Sequence, residues 1–326
     1  MQEINPLAYR VGGLLYMPAL QENIVPKIAA SSIPCLSSLA FCLEDAIQDQ
    51  ALPKAEATLA RILNEFTALP GEKLPLVFIR IRSPLHLRRL AEEYRDFRDI
   101  ITGYILPKFD LGSATAYLAV LEGINRQEPP LYIMPILESS ALADPATRID
   151  TLTTIRCLLE AVKPYVLNIR VGGNDLLNLY GLRCPISHTI YDIEAVRAVL
   201  ADILGVFARE YVVSAPVWNY FGQRETEPWA EGLKRELALD QLNGFIGKTA
   251  IHPAQLPLIH RSLMVSREDY ADACALLNWP TGDKGVEKSV NSSRLNEVKC
   301  HLNWAKRIKI LGDIYGVVTP VPHESR

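Results

Sequence analysis

The stretch Tyr132-Ile-Met-Pro-Ile-Leu-Glu-Ser139 is an almost unbroken apolar run that ends in a carboxylate, Glu138. Such a run is typical of a strand buried on both faces of a parallel sheet, where a charge is tolerated only at the end. The next run of this kind, 166–171, leads through two glycines and an asparagine to Asp175. If the two runs form neighbouring parallel strands, their ends lie about 5 Å apart. We therefore expect Glu138 and Asp175 to lie side by side, with a proton or a cation between them.

The alternation of short apolar runs with longer amphipathic segments extends through most of the chain. We predict eight strands, over 13–17, 39–43, 76–81, 103–106, 132–139, 166–171, 211–215 and 244–248. We predict a helix after each strand, over 21–30, 52–66, 86–97, 113–124, 149–162, 193–207, 229–242 and 254–263, with a longer excursion at 176–189. Eight such units in about 250 residues favour an α/β fold, a (β/α)₈ TIM barrel, over an open doubly wound sheet. The chain has neither a Gly-x-Gly-x-x-Gly after its first strand nor a phosphate-binding Gly-x-x-x-x-Gly-Lys-Ser/Thr loop, so a nucleotide-binding fold is disfavoured.

The last part of the chain extends beyond the barrel pattern. We assign 1–264 to the barrel and 265–326 to a helical C-terminal extension, with helices over 267–277 and 294–311 joined by a linker over 281–293. The second helix carries an apolar stripe that includes Val298, Ala305 and Ile308. This stripe packs either into the core of the chain or against another subunit.

Composition narrows the class of protein. The chain has 326 residues, with 49% hydrophobic and 22% charged residues and a formal net charge of -3, which gives no electrostatic case for a nucleic-acid or membrane partner. Six scattered cysteines without a Cys-x-x-Cys pair argue against a zinc site or a disulfide scaffold. We see no signal peptide and no apolar run of about 20 residues that would cross a membrane. These features predict a cytoplasmic protein.

Charged residues gather where the predicted strands end. Strand two ends in Glu44 and Asp45, strand three carries Arg80 and Arg82, strand four is followed by Lys108, and strands five and six lead to Glu138 and Asp175. In a TIM barrel the carboxyl ends of the strands meet at one face, where active sites lie. Carboxylates with arginine and lysine around them suit an anionic substrate that binds through a hard divalent cation, Mg²⁺ or Mn²⁺.

Structural roles are the alternatives at each of these positions. Asp175 would serve as a helix N-cap if a helical turn begins there. Glu138 would form a structural ion pair with Arg80 or Lys108. His252, which precedes Pro253, is more typical of a turn with a structural hydrogen bond than of a catalytic base.

Seven short motifs follow one another in an order that matches a known family. They are Leu14-Leu-Tyr-Met-Pro18, Leu43-Glu-Asp-Ala46, Phe78-Ile-Arg-Ile81, Leu106-Pro-Lys108, Pro135-Ile-Leu-Glu-Ser139, Gly173-Asn-Asp-Leu176 and Gly244-Phe-Ile-Gly-Lys-Thr-Ala-Ile-His-Pro-Ala-Gln255. In these motifs the sequence resembles the citrate lyase beta-subunit-like branch of the HpcH/HpaI aldolase family, within the phosphoenolpyruvate/pyruvate-binding barrel superfamily. The match covers residues 12–264, and the last motif is the most specific.

The resemblance implies a Mg²⁺-dependent carbon–carbon lyase or aldolase. It places the metal on Glu138 and Asp175, in agreement with the pairing expected from strand geometry, and the substrate carboxylate on Arg80. It also implies reversible aldol cleavage involving a 2-oxo acid such as glyoxylate, pyruvate or oxaloacetate. Many relatives use a coenzyme A thioester as the other half and assemble as trimers or hexamers.

The chain departs from the family pattern at two site positions and leaves the choice of base open. Cys42 stands where the family usually has aspartate, and Arg82 where it often has asparagine. Glu44, Asp45 and a residue of a neighbouring subunit all remain possible as the base, and Lys108 is a further catalytic candidate. Rival functions are thioester hydrolysis or other enolate chemistry on the same metal site, and a non-catalytic binding or assembly subunit.

Overall fold

The computed structural model describes residues 5–280, 285–289 and 293–318. The chain divides into two compact units, Met1–Ile259 and His260–Arg326. No helix in the described ranges is long and apolar enough to cross a membrane. The six cysteines, all of which lie within those ranges, form no disulfide.

The first unit contains the predicted eight parallel strands. They are β1 (Gly13–Pro18), β2 (Ser38–Cys42), β3 (Leu76–Arg80), β4 (Ile101–Leu106), β5 (Tyr132–Leu137), β6 (Asn168–Val171), β7 (Val212–Ser214) and β8 (Lys248–Ala250). Strands β1 to β7 pair in chain order and β8 pairs with β1. A single bridge between Ala215, which follows β7, and Lys248 of β8 completes the ring. The TIM-barrel prediction is therefore confirmed.

Of the ten helices described for residues 5–263, eight follow the strands as the amphipathic segments predict. The ten helices are α1 (Pro6–Arg10), α2 (Ile24–Ala29), α3 (Leu52–Phe66), α4 (Pro84–Glu93), α5 (Ala114–Ile124), α6 (Arg148–Glu160), α7 (Gly173–Leu179), α8 (Glu194–Phe207), α9 (Pro228–Asn243) and α10 (Leu256–Leu263). The α3 prediction is correct at both ends, and the apolar stripe Leu59, Ile62 and Phe66 is fully buried. The α4 helix begins after Ser83, whose side chain caps the His86 amide, with Pro84 as its first residue.

Two helices were not predicted, and both affect the barrel ends. The α1 helix starts after Asn5, whose side chain accepts from the Leu7 amide, and the Asn168 side chain inside the barrel donates to the carbonyl of Ala8. The α7 helix begins at Gly173, where the sequence predicted only a strand end followed by an irregular excursion. Paired glycines are typical of a loop, and this local signal concealed the short helix.

The eighth strand lies later in the chain than predicted. Gly244 caps the end of α9 with φ of 105°, and Gly247 has φ of 74°. Both values fall in the left-handed region that favours glycine and that a strand does not use. The strand therefore begins only at Lys248, instead of spanning 244–248 as predicted.

The second unit contains the predicted helical extension together with short strands. Its elements are β9 (Val265–Ser266), α11 (Arg267–Leu277), β10 (Val286–Lys288), β11 (Leu295–Glu297), α12 (Val298–Tyr315) and β12 (Val317–Val318). The α11 prediction is correct at both ends. The last helix starts later than predicted because β11 pairs antiparallel with β10. Residues 281–284 and 290–292 of the predicted linker lie outside the described residues.

Core packing within this unit accounts for much of the apolar stripe on α12. Ala305 is fully buried against Ala273 and Leu276 of α11, and Val298 and Ile308 pack around them. The structure thus favours the first of the two alternatives stated for the stripe, burial in the chain's own core.

Candidate active site

A cavity of about 210 Å³ opens at the carboxyl ends of the barrel strands. Its polar lining includes Tyr16, Asp45, Arg80, Glu138, Arg170 and Asp175. Four of these six are residues that the sequence singled out, from the ends of strands two, three, five and six. A parallel barrel brings strand ends together at one face, which explains why residues so distant in the chain share one cavity.

Glu138 follows β5 directly and is 4% exposed. Its Oε1 accepts a hydrogen bond of 2.9 Å from the Lys108 amide and lies 3.5 Å from the Arg80 guanidinium. Burial raises the pKa of Glu138 to about 8; the adjacent Asp175 adds to the rise, while Arg80 opposes it. Glu138 and Asp175 both line the cavity. The two carboxylates therefore lie at one site, as the strand pairing predicts.

Lys108 contributes to the site in two separate ways. Its φ of 48° is a left-handed value that is uncommon for a residue with a side chain, and this turn presents the Lys108 amide to Glu138. Its ammonium group lies 3.0 Å from Glu44 and 3.9 Å from Asp45, and the side chain is largely exposed. The backbone contact was not predicted, because a residue's backbone angle leaves no mark on the apolar pattern of the sequence.

Arg80 ends β3 and pairs with three carboxylates. Its Nη2 lies 2.8 Å from Glu44, 3.0 Å from Asp45 and 3.5 Å from Glu138. Its buried Nε has no hydrogen-bond partner among the described residues. Asp45 lines the cavity and Glu44 does not. Of the two predicted acids after strand two, Asp45 is therefore the one placed to meet a ligand.

Asp175 lies in the first turn of α7. The N-cap position of this helix is Gly172, so the structure does not support the capping alternative for Asp175. The missing side chain at Gly172 also leaves room for Glu138: an added Cβ would lie 2.0 Å from Glu138 Oε2. The glycine is therefore needed for the glutamate to stand beside Asp175.

The donor set fits a hard divalent cation. Two adjacent carboxylates, one of them buried, place all-oxygen ligands at one point, and a cation there would relieve their repulsion. No group of three or more histidine, cysteine or acidic side chains in the described part of the chain could hold a metal. Two protein carboxylates suit Mg²⁺, which commonly takes its remaining ligands from water and substrate.

Among the ionisable residues that line the cavity, two were not predicted. Arg170 and Tyr16 lie within the apolar runs of β6 and β1, and Arg170 is 1% exposed. The sequence argument searched strand ends, so polar residues inside strands were overlooked. The signal was present, since an arginine inside an otherwise apolar strand is rarely buried without a function or a partner.

Several other motif residues have structural roles. Arg82 binds the carbonyls of Leu43 and Ile47 and pairs with Asp49, which holds the loop after β2. His252 accepts from the Ala254 amide in a turn, as its structural alternative predicted. Gln255 donates to the carbonyls of Trp218 and Tyr220 and so ties two loops together.

Lys248, inside the most specific motif, is fully buried and points away from the cavity. Its ammonium group pairs with Glu236 at 2.7 Å and with Asp240 at 2.8 Å, both on α9. Among the described residues that line the cavity, Lys248 does not appear. We conclude that this lysine fastens α9 to the barrel.

The barrel and its polar cavity define a TIM-barrel protein whose site lies at the carboxyl ends of the strands. The particular family follows from comparison with known proteins. A family described as C–C bond lyases of the TIM-barrel fold matches residues 5–317, and the chain belongs to this family. The predicted resemblance, the barrel and the assignment as a carbon–carbon lyase are thereby confirmed.

Individual relatives agree with this assignment. A citrate lyase subunit beta-like protein of Deinococcus radiodurans is 24% identical over 266 residues, which cover 81% of this chain and 84% of the relative. A citrate lyase from Burkholderia xenovorans has a TM-score of 0.66 at 16% identity, covering 95% of this chain and 93% of the other. The protein CitE from Mycobacterium tuberculosis, solved with magnesium, acetoacetate and coenzyme A, has a TM-score of 0.59 at 19% identity, covering 93% and 99%.

Proposed function

We propose that this protein is a Mg²⁺-dependent lyase that cleaves or forms a carbon–carbon bond adjacent to a 2-oxo acid. The observation that carries the proposal is the buried Glu138 carboxylate, which lies 3.5 Å from Arg80 and shares with Asp175 a cavity at the carboxyl ends of the strands. The carbon–carbon lyase family and a relative of the same fold that binds magnesium support it.

Each residue has a role that follows from its contacts. Glu138 and Asp175 would hold the metal, and the Lys108 amide keeps the Glu138 carboxylate in place. Arg80 binds the substrate carboxylate, because its guanidinium lines the cavity beside Glu138. Bound Mg²⁺ would supply Lewis-acid stabilisation of negative charge on the substrate oxygen.

Asp45 is the residue to which we assign proton transfer. Burial tends to raise its pKa, but a hydrogen bond with Glu44 and the charges of Arg80 and Lys108 outweigh burial and lower it. Asp45 is therefore ionised at neutral pH and can accept a proton. In the cleavage direction, Asp45 takes the proton of a hydroxyl on the carbon that becomes the 2-oxo carbonyl, the carbon–carbon bond breaks, and its electron pair forms an enolate on the other fragment. The protonated Asp45 then returns the proton to the enolate carbon.

The cavity limits what binds inside it. Its volume of about 210 Å³ is below the roughly 300–1,000 Å³ of pockets for drug-sized ligands, so it suits a small acid such as glyoxylate, pyruvate or oxaloacetate. A coenzyme A thioester as the second reactant is supported by the coenzyme A in the CitE complex. The nucleotide portion of coenzyme A would lie outside the cavity.

Proton exchange tests the reaction class without knowledge of the natural partner. Wild-type protein with Mg²⁺ in D₂O should exchange the protons next to the carbonyl of pyruvate or of the acetyl group of acetyl-coenzyme A, followed by ¹H NMR. Glu138→Ala should show no proton exchange, and neither should wild type after a chelator has removed Mg²⁺. Exchange that persists after chelation would contradict the proposal, whereas release of free coenzyme A without exchange would favour the thioester-hydrolase alternative.

Two further predictions accompany this function. Family membership favours an enzyme over the non-catalytic binding subunit. We also expect a homo-oligomer, either a trimer or a hexamer, because the sequence resembles a family whose members assemble in this way. Light scattering of the purified protein measures the oligomeric state. A monomer at all concentrations would refute this prediction.

A further inference from the structure

We propose that Arg170 is a second anion-binding residue of the cavity, and that it makes the enzyme select a substrate with a second anionic group besides the 2-oxo acid carboxylate. This inference rests on the proposed function and deepens it. Arg170 lines the same cavity as Arg80 but projects from β6, separated from β3 by two strands. The two guanidinium groups can therefore bind two different groups of one ligand.

The charge of Arg170 has no anionic partner in the described ranges. Its Nη2 donates to Thr249 Oγ1 at 2.7 Å, and its Nη1 donates to Asn168 Oδ1 at 3.4 Å. Both partners are neutral side chains. Within residues 5–280, 285–289 and 293–318, no carboxylate forms an ion pair with Arg170, in contrast to Arg80 with its three.

Burial makes this lack of a partner costly. Arg170 is 1% exposed, and its buried Nε has no hydrogen-bond acceptor in the part of the chain that the structure describes. A buried guanidinium stays charged, so it needs either a counter-ion or a full set of acceptors. A ligand anion in the cavity would provide the counter-ion by pairing with the guanidinium.

Neighbouring residues fix the direction of the guanidinium. Thr249 on β8 accepts a hydrogen bond from it, and Asn168 does so from the same strand, so two strands hold Arg170 at the cavity. Arg170, Arg80 and Tyr16 all line this one cavity. A second carboxylate or a phosphate-type group on a short carbon chain is the ligand chemistry that suits such an arrangement.

Binding of matched acids with saturating Mg²⁺ tests the inference. Oxaloacetate and pyruvate differ by one carboxylate, as do 2-oxoglutarate and 2-oxobutyrate, and phosphonopyruvate supplies a phosphonate instead. Calorimetry on wild type should show the dianionic member of at least one pair, or phosphonopyruvate, binding about 100-fold more tightly than its monoanionic counterpart. Whichever of the carboxylate and phosphonate probes binds more tightly identifies the second anionic group of the natural substrate.

Variants separate a ligand contact from a structural role. In Arg170→Met the ratio of dianion affinity to monoanion affinity should fall to nearly one, while the monoanion affinity stays within about threefold of the wild-type value. Arg170→Lys should retain part of the wild-type ratio. Without ligand, Arg170→Met should unfold at the same temperature as wild type or higher, since an unpaired buried charge is removed. Arg148→Met is the matched control: Arg148 is also buried, at 4% exposure, but it pairs with Asp202 and does not line the cavity. Its loss should lower stability and leave the ratio of dianion to monoanion affinity unchanged.

The outcomes distinguish this inference from the proposed function. Equal affinity of wild type for both members of each pair and for phosphonopyruvate, or an unchanged preference in Arg170→Met, would overturn the role of Arg170 and leave the lyase standing. The wild-type comparison decides the question even if Arg170→Met fails to fold. Absence of Mg²⁺-dependent binding of every acid would instead refute the proposed function itself.

Discussion

Substitution of Gly172 by alanine should disable the metal site without altering the fold. The backbone of Gly172, with φ of -85° and ψ of 80°, is one that alanine can adopt. Its new methyl group, however, would lie 2.0 Å from Oε2, 2.5 Å from Cβ and 2.9 Å from Cδ of Glu138. Since non-bonded atoms prefer about 3.5 Å, the Glu138 side chain must move by about 1.5 Å. That movement separates the carboxylate from Asp175 and from the Lys108 amide.

The expected magnitudes follow from the overlap. Forcing a methyl group into a packed site costs about 1–3 kcal/mol of the free energy of unfolding, measured by urea denaturation without metal. Displacement of a metal ligand should lower Mg²⁺ affinity by at least about 10–100-fold, measured by calorimetry. Oxo-acid binding that depends on Mg²⁺ should fall in parallel.

A neighbouring glycine provides the matched control. A methyl group at Gly173 would lie 2.7 Å from Pro216 Cβ and 3.0 Å from Ile190 Cδ1, and neither contact involves Glu138. Gly173→Ala should therefore lose a similar amount of stability but keep most of its Mg²⁺ affinity. If Gly172→Ala bound Mg²⁺ as tightly as wild type does, the placement of the metal on Glu138 would be refuted.

Two further predictions concern ionisation and stability. Because the pKa of Glu138 is raised to about 8, the metal-free protein holds a proton on this carboxyl group at neutral pH. Mg²⁺ must displace that proton to bind. The affinity for Mg²⁺ should therefore rise about tenfold per pH unit up to pH 8 and then level off. Without metal, the same shift makes the folded state less stable as pH rises from about 4.5 to 8, and calorimetry in buffers of different ionisation enthalpy should detect the released proton. A flat pH profile for wild type, equal to that of Glu138→Gln, would contradict this. Lys248→Met should cost about 3–5 kcal/mol in urea denaturation, since it leaves two buried carboxylates unpaired, while oxo-acid affinity stays near that of wild type. A large loss of affinity with unchanged stability would show that Lys248 belongs to the site.

The barrel was predictable because its evidence is spread over many residues. Eight apolar runs separated by amphipathic segments each give a weak signal, and parallel pairing then places their ends together. Glu138, Asp175, Arg80 and Asp45 share one cavity for this reason. Each stands at or just after the end of a strand, where polar residues interrupt an apolar run.

The missed features depend on single angles or on tertiary contacts. The eighth strand was misplaced because Gly244 and Gly247 adopt left-handed φ values that a local apolar pattern does not reveal. Arg170 is one residue inside an apolar strand, and only the barrel shows that it faces the cavity rather than a helix. Lys248 illustrates the opposite case, because a charged residue in the most specific motif serves packing between α9 and the barrel.

Calorimetry of pyruvate, glyoxylate and oxaloacetate with and without Mg²⁺, on wild type and on Glu138→Ala, tests the central claim most directly. We predict that at least one of these acids binds to wild type only when Mg²⁺ is present, and that Glu138→Ala binds none while remaining folded by circular dichroism. Equal binding with and without Mg²⁺, or binding to Glu138→Ala with wild-type affinity, would contradict the claim that Glu138 and Asp175 hold the metal on which the substrate binds.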